Sequence, residues 1–90
     1  MKGYFRVKTL HIIRNIDNEL AQEVINYESD MRGVTVLLIQ DGVFSSLQGA
    51  GDIYASVNDV EARGLNTSYK LVDYSSICQL ILDHDKVVVW

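Results

Sequence analysis

The hydrophobic pattern is anchored by Val34–Ile39, six residues of which five are aliphatic, followed at once by the polar Gln40-Asp41-Gly42. An apolar run this continuous predicts a strand covered on both faces, the habit of a central parallel strand. Around it the spacing of apolar positions switches between strand and helix periods. Tyr4 to Ile13 reads as a first strand, with Phe5, Val7, Thr9 and His11 alternating against Arg6, Lys8, Leu10 and Ile12. Asn15 and Asp17 then supply N-cap chemistry, and Ile16, Leu20, Val24 and Tyr27 recur at helical spacing. That pattern predicts an amphipathic helix with these four as its apolar side, closed by Asp30-Met31-Arg32-Gly33. Beyond Gly42, Val43 to Gln48 reads as a short helix with Val43, Phe44 and Leu47 inward, broken by Gly49-Ala50-Gly51.

The second half repeats the alternation. Ile53 to Val57 is a third strand. Asn58-Asp59 caps one helical turn, Val60 to Arg63, which Gly64 ends. Asn66-Thr67-Ser68 is loop, and Tyr69 to Asp73 is a fourth strand. Ser75 reads as the N-cap of a helix through Leu82, with Ile77, Leu80 and Ile81 inward. Lys86 to Trp90 is a last apolar strand. Strands alternating with helices predict an α/β fold. It is a three-layer α/β/α sandwich with a mainly parallel, about five-stranded sheet joined by right-handed crossovers. Its 90 residues make one domain, residues 1–90.

Composition narrows the partners. Eight basic residues against twelve acidic ones give a formal charge of -4. No basic cluster forms, so direct nucleic-acid binding is disfavoured. No apolar run approaches ~18 residues, so no membrane span is expected. Arg6 and Lys8 interrupt any signal-peptide core near the start, which fits a cytoplasmic protein. One cysteine, Cys78, excludes an internal disulfide and a multi-cysteine metal site. A hydrophobic fraction of 48% leaves apolar surface to spare for a partner.

The candidate chemistry is thin. In an open α/β sheet ligands are met at the carboxyl ends of strands, which makes Gln40, Asp41 and Gly42 the default site. His11 is placed at the end of the first strand, beside them if the two strands are neighbours. Two roles stand for it: a proton-transfer or docking group with Asp41, or a buried group satisfied by backbone. Two also stand for Cys78. Behind a Ser75 cap it is the third residue of its helix, where the dipole stabilises a thiolate. Among Ile77, Leu80 and Ile81 it is equally a small buried hydrophobe, the reading we favour. His84, in Asp83-His84-Asp85, reads as a solvated loop residue, and the histidines lack metal-ligand spacing. The glycines form neither a G-x-G-x-x-G turn nor a Walker loop, and no nucleophile elbow occurs. The aromatics read as core or interface packing rather than a base-stacking set. Arg63 either complements a helix dipole or braces the strand-end loops.

Taken in order, several pieces resemble the TusB/DsrH family of small sulfur-relay subunits. They are Thr9-Leu10-His11, Leu37-Leu38-Ile39-Gln40-Asp41-Gly42-Val43, Val60-Glu61-Ala62-Arg63-Gly64-Leu65, Val72-Asp73-Tyr74-Ser75 and Trp90. The resemblance implies a DsrE/F/H-like fold and membership of a complex that passes sulfur, as persulfide, between cysteines. In such systems the relay feeds tRNA wobble-uridine thiolation or sulfur oxidation. It implies DsrE-like and DsrF-like paralogous subunits, or a second copy, as partners, and no cofactor. A subunit of this type is non-catalytic and serves docking, with His11, Gln40, Asp41 and Gly42 as the receiving rim. The family pattern does not demand a cysteine at position 78. Two other functions stay open: a sulfurtransferase carrying sulfane sulfur on Cys78, and a ligand-binding homodimer outside the relay.

Overall fold

A computed structural model describes residues 7–29, 33–47 and 52–90. Its strands are β1 (Thr9–Ile13), β2 (Val34–Leu38), β3 (Asp52–Ser56), β4 (Lys70–Val72) and β5 (Lys86–Val89). Its helices are α1 (Glu19–Ser29), α2 (Val57–Ala62) and α3 (Tyr74–Asp83), with a 3-10 turn at Gln40–Phe44. The strands form one sheet in the order β4-β3-β2-β1-β5, and every pairing is parallel. The Val34 strand is therefore central, in keeping with its largely apolar run.

Strand alternation sorts the core into two layers. Ile13, Val36, Leu38 and Ala55 face one way and pack with Ala21 and Ile25 of α1 and Val60 of α2. Leu10, Ile12 and Leu37 face the other way and meet Ile77 and Leu80 of α3. Two helices cover the first face and α3 alone covers the second, which completes the α/β/α sandwich.

Several boundaries move, each for a local reason. The first strand starts at Thr9, where pairing with Val34 and Lys86 begins. Tyr4 to Arg6 lie outside the described residues, as do Asp30 to Arg32 and Gln48 to Gly51. Helix α1 is capped by Asn18, whose Oδ1 accepts from the Ala21 amide at 2.9 Å, and not by Asn15 or Asp17. The apolar stripe predicted for α1 is misplaced as core. Leu20 and Tyr27 are exposed, Val24 is half-buried, and Ala21 and Ile25 are the buried pair. Small Ala21 lets the helix sit close to the sheet, so the buried stripe carries less apolar bulk than the exposed one. The short helix expected from Val43 starts earlier, as the Gln40–Phe44 turn, and leaves Phe44 exposed. Helix α2 begins directly after Ser56, without a side-chain cap from Asn58 or Asp59.

Helix α2 ends as its sequence requires. Gly64 adopts φ 61. The Gly64 amide donates to Glu61 O and the Leu65 amide to Val60 O, both at 3.1 Å. These two bonds are a Schellman closure, and Leu65 folds back onto the core beside Val60. Helix α3 is capped by Asp73 rather than Ser75: the Asp73 carboxylate accepts from the Ser76 amide at 2.8 Å.

Candidate functional site

All five strands run the same way, so their carboxyl ends share one edge of the molecule. There β3 leads into α2 on one face of the sheet, and β4 leads into α3 on the other. Adjacent strands whose connections diverge leave a crevice between them, the topological switch point of an open α/β sheet. A cleft of about 370 Å³ lies at that point, lined by Ile39, Gln40, Ser56, Asn58, Asp59, Tyr74 and Ile77. Ile39 and Ile77 give it apolar walls. Gln40 and Asn58 offer amides, Tyr74 a hydroxyl, and Asp59 a carboxylate. Neither a thiol nor an imidazole is among its lining residues, and its polar groups are suited to hydrogen bonding.

The rim is held by an unusual backbone and one arginine. Gln40 turns the chain at φ 51. Gly42 then packs directly on the end of β1, where an added Cβ would overlap the Ile13 carbonyl oxygen. The same oxygen accepts from the Ile39 amide at 3.0 Å. Gly42 is thus needed for close approach and is buried beneath the rim. Arg63 lies behind the lining: its Nε donates to Asp41 Oδ1 at 3.1 Å, and its Nη1 donates to Asp59 O at 3.3 Å. Asp41 is largely exposed, so the pair is worth no more than about 1 kcal/mol. Its value is positional: one guanidinium ties the loop after β2 to α2. Both roles open for Arg63 find contacts: the bond to Asp41 braces the strand-end loops, and the bond to Asp59 O meets a carbonyl of the last turn of α2.

His11 is not beside Gln40-Asp41-Gly42. It sits in the middle of β1, opposite Val36 and Val88, and faces α1 while the cleft opens toward α3. It is 1% exposed. The Trp90 indole Nε1 donates to His11 Nδ1 at 3.0 Å, and His11 Nε2 lies 2.8 Å from Glu28 Oε1. An indole N–H can only donate, so Nδ1 accepts, and the imidazole proton sits on Nε2 and donates to Glu28. The two rings also stack, with centroids 6.1 Å apart. His11 therefore joins β1, α1 and the residue after β5 inside the fold.

Cys78 is the fifth residue of α3, partly exposed, and does not line the cleft. With Asp73 as the cap, it falls outside the first turn on which the thiolate argument depended. His84 is not a free loop residue. It ends α3, with Nδ1 donating to Leu80 O at 2.6 Å and Nε2 accepting from Thr35 Oγ1 at 2.8 Å. It borders a larger depression, about 470 Å³, at the amino-terminal ends of the strands. Its imidazole is already engaged there, and the strand starts lack the diverging connections that make a switch-point crevice. Among the described residues no three His, Cys, Asp or Glu side chains converge to hold a metal. Nor, among the described residues, is any helix long and apolar enough to cross a membrane.

Ser56, Asn58, Asp59 and Tyr74 are the polar lining residues that sequence reading did not place at a site. The carboxyl-end rule that singled out Gln40 after β2 finds them when it is applied to β3 and β4 as well. No curated protein matches the chain. The family model described as DsrH like protein matches residues 22–87, from the first turn of α1 into β5. A match of that extent, on a parallel sheet with helices on both faces, shows that the chain belongs to the DsrH-like family.

Proposed function

We propose that the chain is a docking subunit of a cytoplasmic sulfur-relay complex. In this reading sulfur passes as persulfide between cysteines of partner subunits, and no bond to sulfur forms on this chain. The observation that carries it is the make-up of the crevice between β3 and β4 in a member of this family. The site has amides and a hydroxyl at its mouth, apolar walls and no thiol. A persulfide-bearing loop entering it meets the Gln40 and Asn58 amides, which can donate to an anionic sulfur, with Ile39 and Ile77 alongside its carbon chain. The contacts from Arg63 to Asp41 and Asp59 tie the loop beside Gln40 to α2, which supports a fixed placement of Gln40 and Asp59. The expected partners are DsrE-like and DsrF-like paralogues or a second copy, and the expected outlet is tRNA wobble-uridine thiolation or sulfur oxidation. The test is reconstitution with the two paralogues from the same source, following radiolabelled sulfane sulfur from a persulfidated donor. The Cys78→Ser chain is expected to support transfer at the wild-type rate, and Gln40→Arg to weaken assembly. Label recovered on Cys78, with transfer abolished in the serine variant, would replace docking by a carrier role.

A further inference from the structure

The residues that sequence periodicity assigns to the core side of α1 are the ones the fold leaves outside. Ile16, Leu20 and Tyr27 are 52%, 62% and 69% exposed, and Val24 lies half-buried between the last two. Leu20, Val24 and Tyr27 follow at four and three residues, the spacing of a helix–helix packing seam. Gln22 and Asn26, on one flank of α1, border Ser46 and Leu47. The seam occupies the opposite flank, toward β5, where the sheet ends among the described residues. Its setting is strongly acidic. Residues 15–29 hold Asp17, Glu19, Glu23 and Glu28 and no lysine or arginine. Glu28 is turned inward to His11. Asp17, Glu19 and Glu23 are exposed, and among the described residues none of the three pairs with a cation.

We infer that this face of α1 is an interaction surface for a partner subunit whose patch is apolar at its centre and rimmed by lysine or arginine. Packing a partner there removes Leu20 and Tyr27 from water, and the basic rim neutralises three carboxylates. The charge argues against a second copy, because a twofold contact through α1 would bring the acidic rims of both chains together. The inference rests on the reading that the chain works in a complex, and it adds a second contact face, distinct from the carboxyl-end crevice.

The experiment uses the full chain with its DsrE-like and DsrF-like paralogues, measured by native mass spectrometry and by titration at low and high salt. Two double variants are compared, Leu20→Ser with Tyr27→Ser and Glu19→Lys with Glu23→Lys, alongside Gln40→Arg in the crevice. All α1 changes are on exposed positions, and circular dichroism confirms that each variant is folded. Each α1 pair is expected to weaken assembly at least tenfold. The wild-type affinity is expected to fall with salt and that of the charge-reversed pair to lose most of this dependence. Assembly unchanged by both α1 pairs but weakened by Gln40→Arg would overturn the α1 surface alone. No complex from the wild-type chain would overturn both readings. A self-dimer that disappears in the serine pair would put a second copy on this face and overturn the assignment.

Discussion

Gly42→Ala is the sharpest single test of how the rim is built. The added methyl would stand 2.8 Å from the Ile13 carbonyl carbon and closer still to its oxygen. Carbon atoms in comfortable contact are about 3.5–4.0 Å apart, so the turn would have to lift by roughly an ångström. The obstacle is main chain of a fully buried strand and cannot rotate away as a side chain would. Lifting the turn also stretches the Ile39 to Ile13 bond and the Gly42 to Ile39 bond, now 3.0 and 2.8 Å. Overpacking costs about 1–3 kcal/mol, and a lost backbone bond about 1 kcal/mol more. The total is therefore about 2–4 kcal/mol, out of roughly 5–13 kcal/mol for a chain of this length.

At the usual sensitivity of a small domain this lowers Tm by roughly 10–30 °C, which thermal melts followed by circular dichroism resolve easily. Gly33→Ala is the control. Nothing lies within 4 Å of a Cβ there, and its φ is not positive. It should be neutral or stabilise by up to about 1 kcal/mol, because alanine restricts the unfolded chain. A Gly42→Ala melt within about 4 °C of wild type would refute the claim that close approach fixes this glycine. It would also leave the placement of Gln40 and Asp41 without its physical cause.

Three further outcomes are expected. Trp90→Phe keeps a ring against His11 but removes the donor that Nδ1 has among the described residues, leaving a buried acceptor unpaired; urea melts should show a loss of about 1–3 kcal/mol. Thr9 is fully buried and its hydroxyl has no hydrogen-bond partner among the described residues, so Thr9→Val should stabilise by about 1 kcal/mol in the same assay. The Asp73 carboxyl is held below the usual carboxylate range, chiefly by the hydrogen bond from the Ser76 amide. A depressed value means the cap stabilises α3 above about pH 4 and is lost as pH falls through the folded value. The Tm difference between wild type and Asp73→Asn should therefore shrink on acidification, and a difference constant from pH 7 to pH 2.5 would contradict the cap.

The fold was legible because its signals are local. A run with five aliphatics in six residues names a central strand wherever the helices fall. Gly64 names a helix end because the left-handed turn of a Schellman closure suits no other residue as well. Partner choices between distant residues carry no such mark. Trp90 and Glu28 lie far from His11 in sequence, and only the pairing of β5 with β1 and the packing of α1 bring them to it. The same holds for His84 and Thr35, 49 residues apart. A histidine near an apparent strand end thus looks like a site residue until the register shows that it points into the α1 layer.

The misreading of α1 has a different origin and a larger consequence. Periodicity reports which residues share a side of a helix, but not which side meets the sheet. Leu20, Val24 and Tyr27 form one apolar stripe of large side chains, whereas the sheet buries the smaller Ala21 with Ile25. A helix with two apolar stripes, one small and buried and one large and exposed, satisfies both demands only if something covers the second. The chain's apolar excess and its acidic first helix are then two aspects of one arrangement. Neither a thiol nor an imidazole lines the crevice at the β3 and β4 ends, and Leu20 and Tyr27 of α1 are turned outward. Under the docking proposal the specificity of the chain lies in its contacts, so affinity measurements on the assembled complex test that proposal more directly than a search for turnover.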